Sequence, residues 1–191
     1  MSVNRVNIDF SIKVKDIFKF LVSKYNFRLI EEVETFVRYE SDTVFINFYH
    51  GRSSFEIGVE MGLLKHEGDS RFRLPTIMAA LAPEYKERVF FQANESKVVE
   101  KCLIKVSELL QKYCIALIKG DESTFLKVSV QQQLEGAKLH EEYTINPVKE
   151  DADKAWHEKR YADVVKLYSS VEHYLTNTEK KRLEFARKHH K

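Results

Sequence analysis

A chain of 191 residues that is 43% hydrophobic, with six Gly and three Pro, has enough apolar content for a packed core and falls outside the disordered class. A formal net charge of +2 excludes a strongly basic nucleic-acid domain. Apolar runs such as Ile115–Ile118 are far shorter than the roughly 20 residues a membrane-spanning helix needs.

Helical spacing of Val14, Ile17, Phe18, Leu21 and Tyr25 predicts a first helix over 8–25, with Asp9 or Ser11 as its cap. Asn26 stops it. Strands are then expected over 27–33 and from a tight connection near Glu34 to Glu40. Ser41 and Asp42 form a hairpin signal before a third strand over 43–49, and His50-Gly51-Arg52 turns the chain into a fourth. That last strand alternates, with Phe55, Ile57, Val59 and Met61 on one side and Glu56, Gly58 and Glu60 on the other. A period of two fits a sheet with one buried and one wet face. The third strand breaks this rule: Val44, Ile46 and Phe48 point one way, but Phe45, Asn47 and Tyr49 point the other. Its outer face is therefore expected either to be covered or to form a partner surface.

Residues 65–72 are polar and loop-like, 74–81 read as a short helix with Pro75 in its first turn, and Pro83 ends it. Residues 84–94 look irregular, although Val89-Phe90-Phe91 must bury. A long helix is expected from Asn94 or Ser96 to about Lys119. Val99, Leu103, Val106, Leu110, Tyr113 and Leu117 form its seam, and Val98, Cys102, Leu109 and Ile118 widen it. Gly120 closes it, and another helix runs from Asp121 or Ser123 to about Leu139. A connector over 140–146 and Pro147 mark a boundary, dividing the chain into an α+β domain, 1–146, and a helical unit, 147–191. The fold class is α+β: an N-terminal helix, a four-stranded antiparallel meander, a long covering helix and a C-terminal helical extension.

In the C-terminal unit, Ala152, Ala155, Trp156, Tyr161, Val164, Val165, Tyr168 and Val171 place small and aromatic residues on one helix and apolar residues on the next. This arrangement resembles the helix-turn-helix of a tetratricopeptide repeat. It departs from that family where Ala152 replaces the helix-packing Gly and Val164 replaces the usual small residue, and no second repeat follows. Thr176 to Glu179 reads as a capping box for a third helix bearing Leu183, Phe185 and Ala186. A lone hairpin cannot bury its apolar side, so it is expected to dock on the first domain. The order of elements, with residues 53–59 leading into the fourth strand, also resembles small bacterial immunity proteins encoded beside toxins. That resemblance is one of pattern, with no defining residue motif, and it implies neutralisation of a toxin by occlusion.

The residues show no metal spacing, no phosphate-binding Gly cluster and no serine elbow, so neither metal nor cofactor is expected. If Cys102 and Cys114 share one helix, about twelve residues at about 1.5 Å rise hold them roughly 18 Å apart, beyond disulfide reach. Both fall on or beside the seam, which makes them packing thiols. With Asn7 and Asp9 interrupting any secretory signal, a cytoplasmic protein is expected. Glu31, Glu32, Glu34, Glu40 and Asp42 gather at the first hairpin. Glu56 with Arg38 or Arg52 is the candidate charged constellation, equally explained by a cross-strand salt bridge.

The candidate binding residues are accordingly Arg38, Phe45, Tyr49, Arg52 and Glu56. The favoured reading is a non-catalytic protein that binds a protein partner. The alternative is an enzyme or small-ligand protein with a pocket between the sheet and the long helix. Residues 176–191 carry six cationic against two anionic side chains, which suits a helix C-terminus better than a nucleic-acid site.

Overall fold

The computed structural model describes residues 8–66 and 71–190. The fold is α+β. Its chain divides by contact density into two compact units, 1–132 and 133–191, the division falling within one helix rather than at the expected boundary after residue 146.

The first unit opens with α1 (Phe10–Ile17) and α2 (Lys19–Tyr25), where a single helix was expected. The break at Phe18 has a packing cause. Residues two apart face different sides of a straight helix, yet Phe18 and Phe20 are both buried, which the interruption permits. Strands β1 (Arg28–Val33), β2 (Phe36–Glu40), β3 (Val44–His50) and β4 (Glu56–Leu63) form the expected meander. Two short strands join it on the far side of β4, β5 (Phe72–Arg73) and β6 (Phe91–Gln92). The latter settles where the apolar 89–91 run goes: Phe91 pairs with Ile57. The short helix α3 (Leu74–Leu81) carries Pro75 in its first turn, where an amide hydrogen has no intrahelical partner anyway.

The long helix α4 (Ser96–Tyr113) ends at Cys114 and resumes as α5 (Ile115–Ile118). Neither expected cap serves α4: Glu95 takes the N-cap position without a side-chain bond, and Ser96 lies in the first turn, its hydroxyl accepting from Lys13 Nζ at 2.8 Å. Val99, Leu103, Val106 and Leu110 are fully buried, in one core with Val37, Val44, Ile46, Phe48, Val59 and Met61 from one sheet face. Val98, expected to widen the seam, points out at 41% exposure. Gly120, at φ +79°, ends the run in the left-handed region that favours glycine. Asp121 then accepts the Thr124 amide at 3.0 Å to cap α6 (Glu122–His140).

The segment expected as a connector after α6 is instead helical, a π turn over Glu141–Ile145 leading into α7 (Asn146–His157). Pro147 supplies the reason. It offers no N–H to the fourth residue back, and its ring crowds that carbonyl, a strain that a wider turn relieves.

Within the second unit, α8 (Tyr161–Ser170) and α9 (Asn177–His189) complete a three-helix packing with α7. The expectation that the α7–α8 hairpin lacks a cover of its own is corrected: Leu183 and Ala186 of α9 bury with Ala152, Ala155, Val164 and Tyr168. The Tyr168 hydroxyl donates to Asp153 at 2.8 Å, and burial pushes its pKa up to about 12. The capping box forms as read, with Glu179 N–H donating to Thr176 Oγ1 at 3.3 Å and the Glu179 carboxylate accepting from Thr176 N–H. Burial raises the Glu179 pKa, but bonding to Thr176 and the Lys149 ammonium at 3.1 Å outweigh it and hold the carboxyl below its usual range.

Two outcomes follow. Phe48 is fully buried with its ring 4.2 Å from that of Phe18, so Phe48→Ala should cost about 3–5 kcal/mol in urea unfolding. A depressed carboxyl stabilises above its unfolded pKa, and that contribution is lost as pH falls through the lower folded value. The protection factors of α9 amides against hydrogen exchange, with the intrinsic pH dependence of exchange divided out, should therefore fall on acidification, and Glu179→Gln should remove that part of the pH dependence.

Candidate functional site on the outer sheet face

Antiparallel register lines up a polar row across the sheet: Glu31, Arg38, Asn47, Glu60 and Arg73, one from each of β1 to β5. This is the face turned away from the α4 core. Asn47 sits mid-row, 2% exposed, and its Oδ1 finds no hydrogen-bond partner among the described residues. A buried acceptor left unsatisfied costs about 1–3 kcal/mol, so this face departs from packing for stability alone. On one side of Asn47 along β3 lies Phe45, and on the other Tyr49.

Phe45 is fully buried yet outside the main hydrophobic cluster. The Arg38 guanidinium stands 4.7 Å above its ring and that of Arg71 5.9 Å away. Arg38 also donates to Glu40 at 2.6 Å. Phe45 thus serves as a platform beneath arginines, with no exposed surface to offer a partner.

Tyr49 is placed by an absence on the opposite strand. Its register partner is Gly58, and a Cβ there would lie 1.9 Å from the Tyr49 ring carbon Cζ. Glycine therefore lets the ring lie flat across β4, and the hydroxyl reaches Glu56 Oε1 at 3.5 Å, the long end of hydrogen-bond range. Burial raises the Tyr49 pKa against the opposing Arg73 charge, with the Glu56 and Glu60 carboxylates adding to the rise. Tyr49 is consequently a protonated donor at neutral pH.

Beside this pair lies a cleft of about 160 Å³, lined by Tyr49, Glu56 and Gly58, by Arg73 and Pro75 where β5 runs into α3, and by Val89 and Phe90. Arg73 Nε is 3.6 Å from Glu60 Oε1, a cross-strand pair. Glu56 differs. It is half-buried, and among the described residues no cation stands within ion-pair distance of it. Just before it, Phe55 holds φ +53°, a left-handed conformation that costs a bulky residue about 1–3 kcal/mol.

Of the residues singled out from sequence, Tyr49 and Glu56 meet at the cleft, whereas Arg38 and Phe45 stack on each other farther along the same face. Arg52 stands apart, exposed in the β3–β4 turn beside Val33, Glu34 and Thr35. The expected pairing of Glu56 with Arg38 or Arg52 does not occur, because Arg38 is committed to Glu40 and Arg52 points elsewhere. The space between sheet and long helix, where the alternative pocket was expected, is filled by the seam itself. Arg73, Pro75, Val89 and Phe90 went unrecognised as site residues, since only the short β5 and β6 pairings bring them to Tyr49. Asn47 did carry a signal, as the lone amide in an apolar strand.

Burial pushes the Cys114 thiol up to about 12 and raises that of Cys102 as well, so neither is a ready thiolate. Among the described residues, no three His, Cys, Asp or Glu side chains converge as a metal site would require, and no helix is long and apolar enough to cross a membrane. In comparison with known proteins, the chain matches no family model, no curated protein and no solved structure.

The Tyr49–Gly58 contact gives a double-mutant test. Gly58→Ala alone should destabilise by about 1–3 kcal/mol through overpacking, and should be close to neutral in a Tyr49→Ala background. Urea unfolding of the four proteins measures the coupling; equal costs in both backgrounds would mean the ring does not rest on Gly58.

Proposed function

We propose that this chain is a non-catalytic protein-binding protein that works by covering its partner, in the manner of an immunity protein occluding a toxin, and that it does so with the outer sheet face. The observation carrying this reading is Glu56: a half-buried carboxylate without a cationic partner among the described residues, backed by a donor hydroxyl and flanked by the exposed Phe90 ring. A charge left unpaired in a partly desolvated position is costly, and a complementary cation from a docking surface would remove that cost. Exposed apolar side chains on the edge strand β1, Leu29, Ile30 and Val33, add contact area on the same sheet. The bulge between Leu29 and Glu31 keeps that edge from pairing freely with another strand. The C-terminal hairpin's likeness to a tetratricopeptide repeat is in keeping with protein recognition.

The competing reading is an enzyme or small-ligand protein. The Tyr49–Glu56 cleft is small for it, since ligand pockets usually run to roughly 300–1,000 Å³, and the groove of that size beside Arg52, about 460 Å³, is lined by only Val33, Glu34, Thr35 and Arg52.

Pull-down from the native host with the full chain as bait should recover a protein in stoichiometric amount, and Glu56→Gln or Phe90→Ala, both at partly exposed lining positions, should lose it while retaining the unfolding midpoint needed for a folded bait. Recovery that is indifferent to both substitutions would place the partner elsewhere on the molecule.

A further inference from the structure

We infer that the Tyr49–Glu56–Phe90 cleft receives a single arginine side chain of the partner protein. This rests on the reading of the outer face as a protein-binding surface and specifies its chemistry.

Size comes first. At about 160 Å³ the cleft is on the scale of the roughly 150 Å³ engineered cavity that admits one benzene, so it takes the end of one side chain and excludes a nucleotide or peptide segment. Charge comes second. Of the lining side chains Glu56 is anionic and Arg73 cationic, and Glu60, outside the lining, is the ion-pair partner of Arg73. Because Arg73 lies 3.6 Å from Glu60, the uncompensated charge belongs to Glu56. An anionic ligand would face that carboxylate, whereas a cation would be paired by it.

The walls then distinguish arginine from lysine. Tyr49 and Phe90 present aromatic surface, and Pro75 and Val89 are apolar. Phe90 is 39% exposed, and the chain's own Arg88 guanidinium already stands 5.3 Å over its ring. That contact displays the chemistry the rim accepts. A guanidinium stacks on aromatic faces, is more weakly hydrated than an ammonium, and offers a planar fork to a carboxylate, so it loses less on entering such a site. The fork would place one N–H on Glu56 and another on the Tyr49 oxygen, whose own hydrogen is directed to Glu56.

The test is an amide chemical-shift titration of the full chain with capped arginine (N-acetyl-arginine methylamide), carried to high millimolar concentration. Capped lysine and capped norleucine serve as controls. Saturable shifts centred on Glu56, Gly58 and Phe90 are expected with arginine, several-fold weaker affinity with lysine, and none with norleucine. Glu56→Gln should weaken arginine binding about tenfold, as expected for a charged hydrogen bond, and added salt should weaken it in the wild type. Equal responses to arginine and norleucine, no response to arginine, or indifference to Glu56→Gln would each overturn the assignment. The broader reading is tested separately: if arginine does not bind but Phe90→Ala still abolishes partner capture, the face binds a partner by other chemistry, and if capture is indifferent to Glu56→Gln and Phe90→Ala the broader reading fails.

Discussion

Strand β3 must satisfy two environments at once, and the rest of the first unit is arranged around that demand. Val44, Ile46, Phe48 and His50 turn toward the helices, where Phe48 meets Phe18 and the His50 ring stacks on Phe10. The alternate residues Phe45, Asn47 and Tyr49 turn the other way, and they too are withdrawn from solvent wholly or in part. Because side chains alternate strictly, a slip of one residue would exchange these sets and put Asn47 into the apolar core. Register is therefore fixed by the inner face. The outer face inherits its geometry from that choice.

What the outer face does with this geometry differs from core building. Hydrophobic packing explains the inner side completely, with α4 closing over it. The outer side instead combines, among the described residues, an amide oxygen at Asn47 without a hydrogen-bond partner, a Glu56 without a cation and a tyrosine that depends on a glycine opposite. Each lowers stability relative to an obvious alternative. Their coincidence on one face supports the proposed binding role, because unrelated lapses in packing would be scattered.

The C-terminal unit follows a simpler logic. Its hairpin needs something to cover its apolar side, and α9 provides it, positioned by the Thr176–Glu179 box and by the Lys149–Glu179 pair. The T-shaped contacts among Trp156, Tyr161 and Phe185, with centroids 5.5–5.8 Å apart, continue that packing toward the surface. Such a unit does not require the neighbouring repeats that a solenoid module would.

Local pattern alone carried the α+β class, the meander, the α3 boundaries, the Gly120 stop and the capping box. Those features depend on residues within a few positions of one another, where spacing and propensity act directly. It also singled out Tyr49, an aromatic at an outward position of β3, and Glu56 on the wet face of β4, which the structure brings within 3.5 Å of each other. Only tertiary structure decided that Phe45 is closed off beneath arginines, that Arg52 lies apart, and that Arg73, Pro75, Val89 and Phe90 join Tyr49 in one cleft. These are matters of which strands pair and which side chains reach across them. The β4 pairings with β5 and β6 join segments whose own sequences are too short and irregular to announce a strand, so their partners arise from the folded sheet and not from any local code.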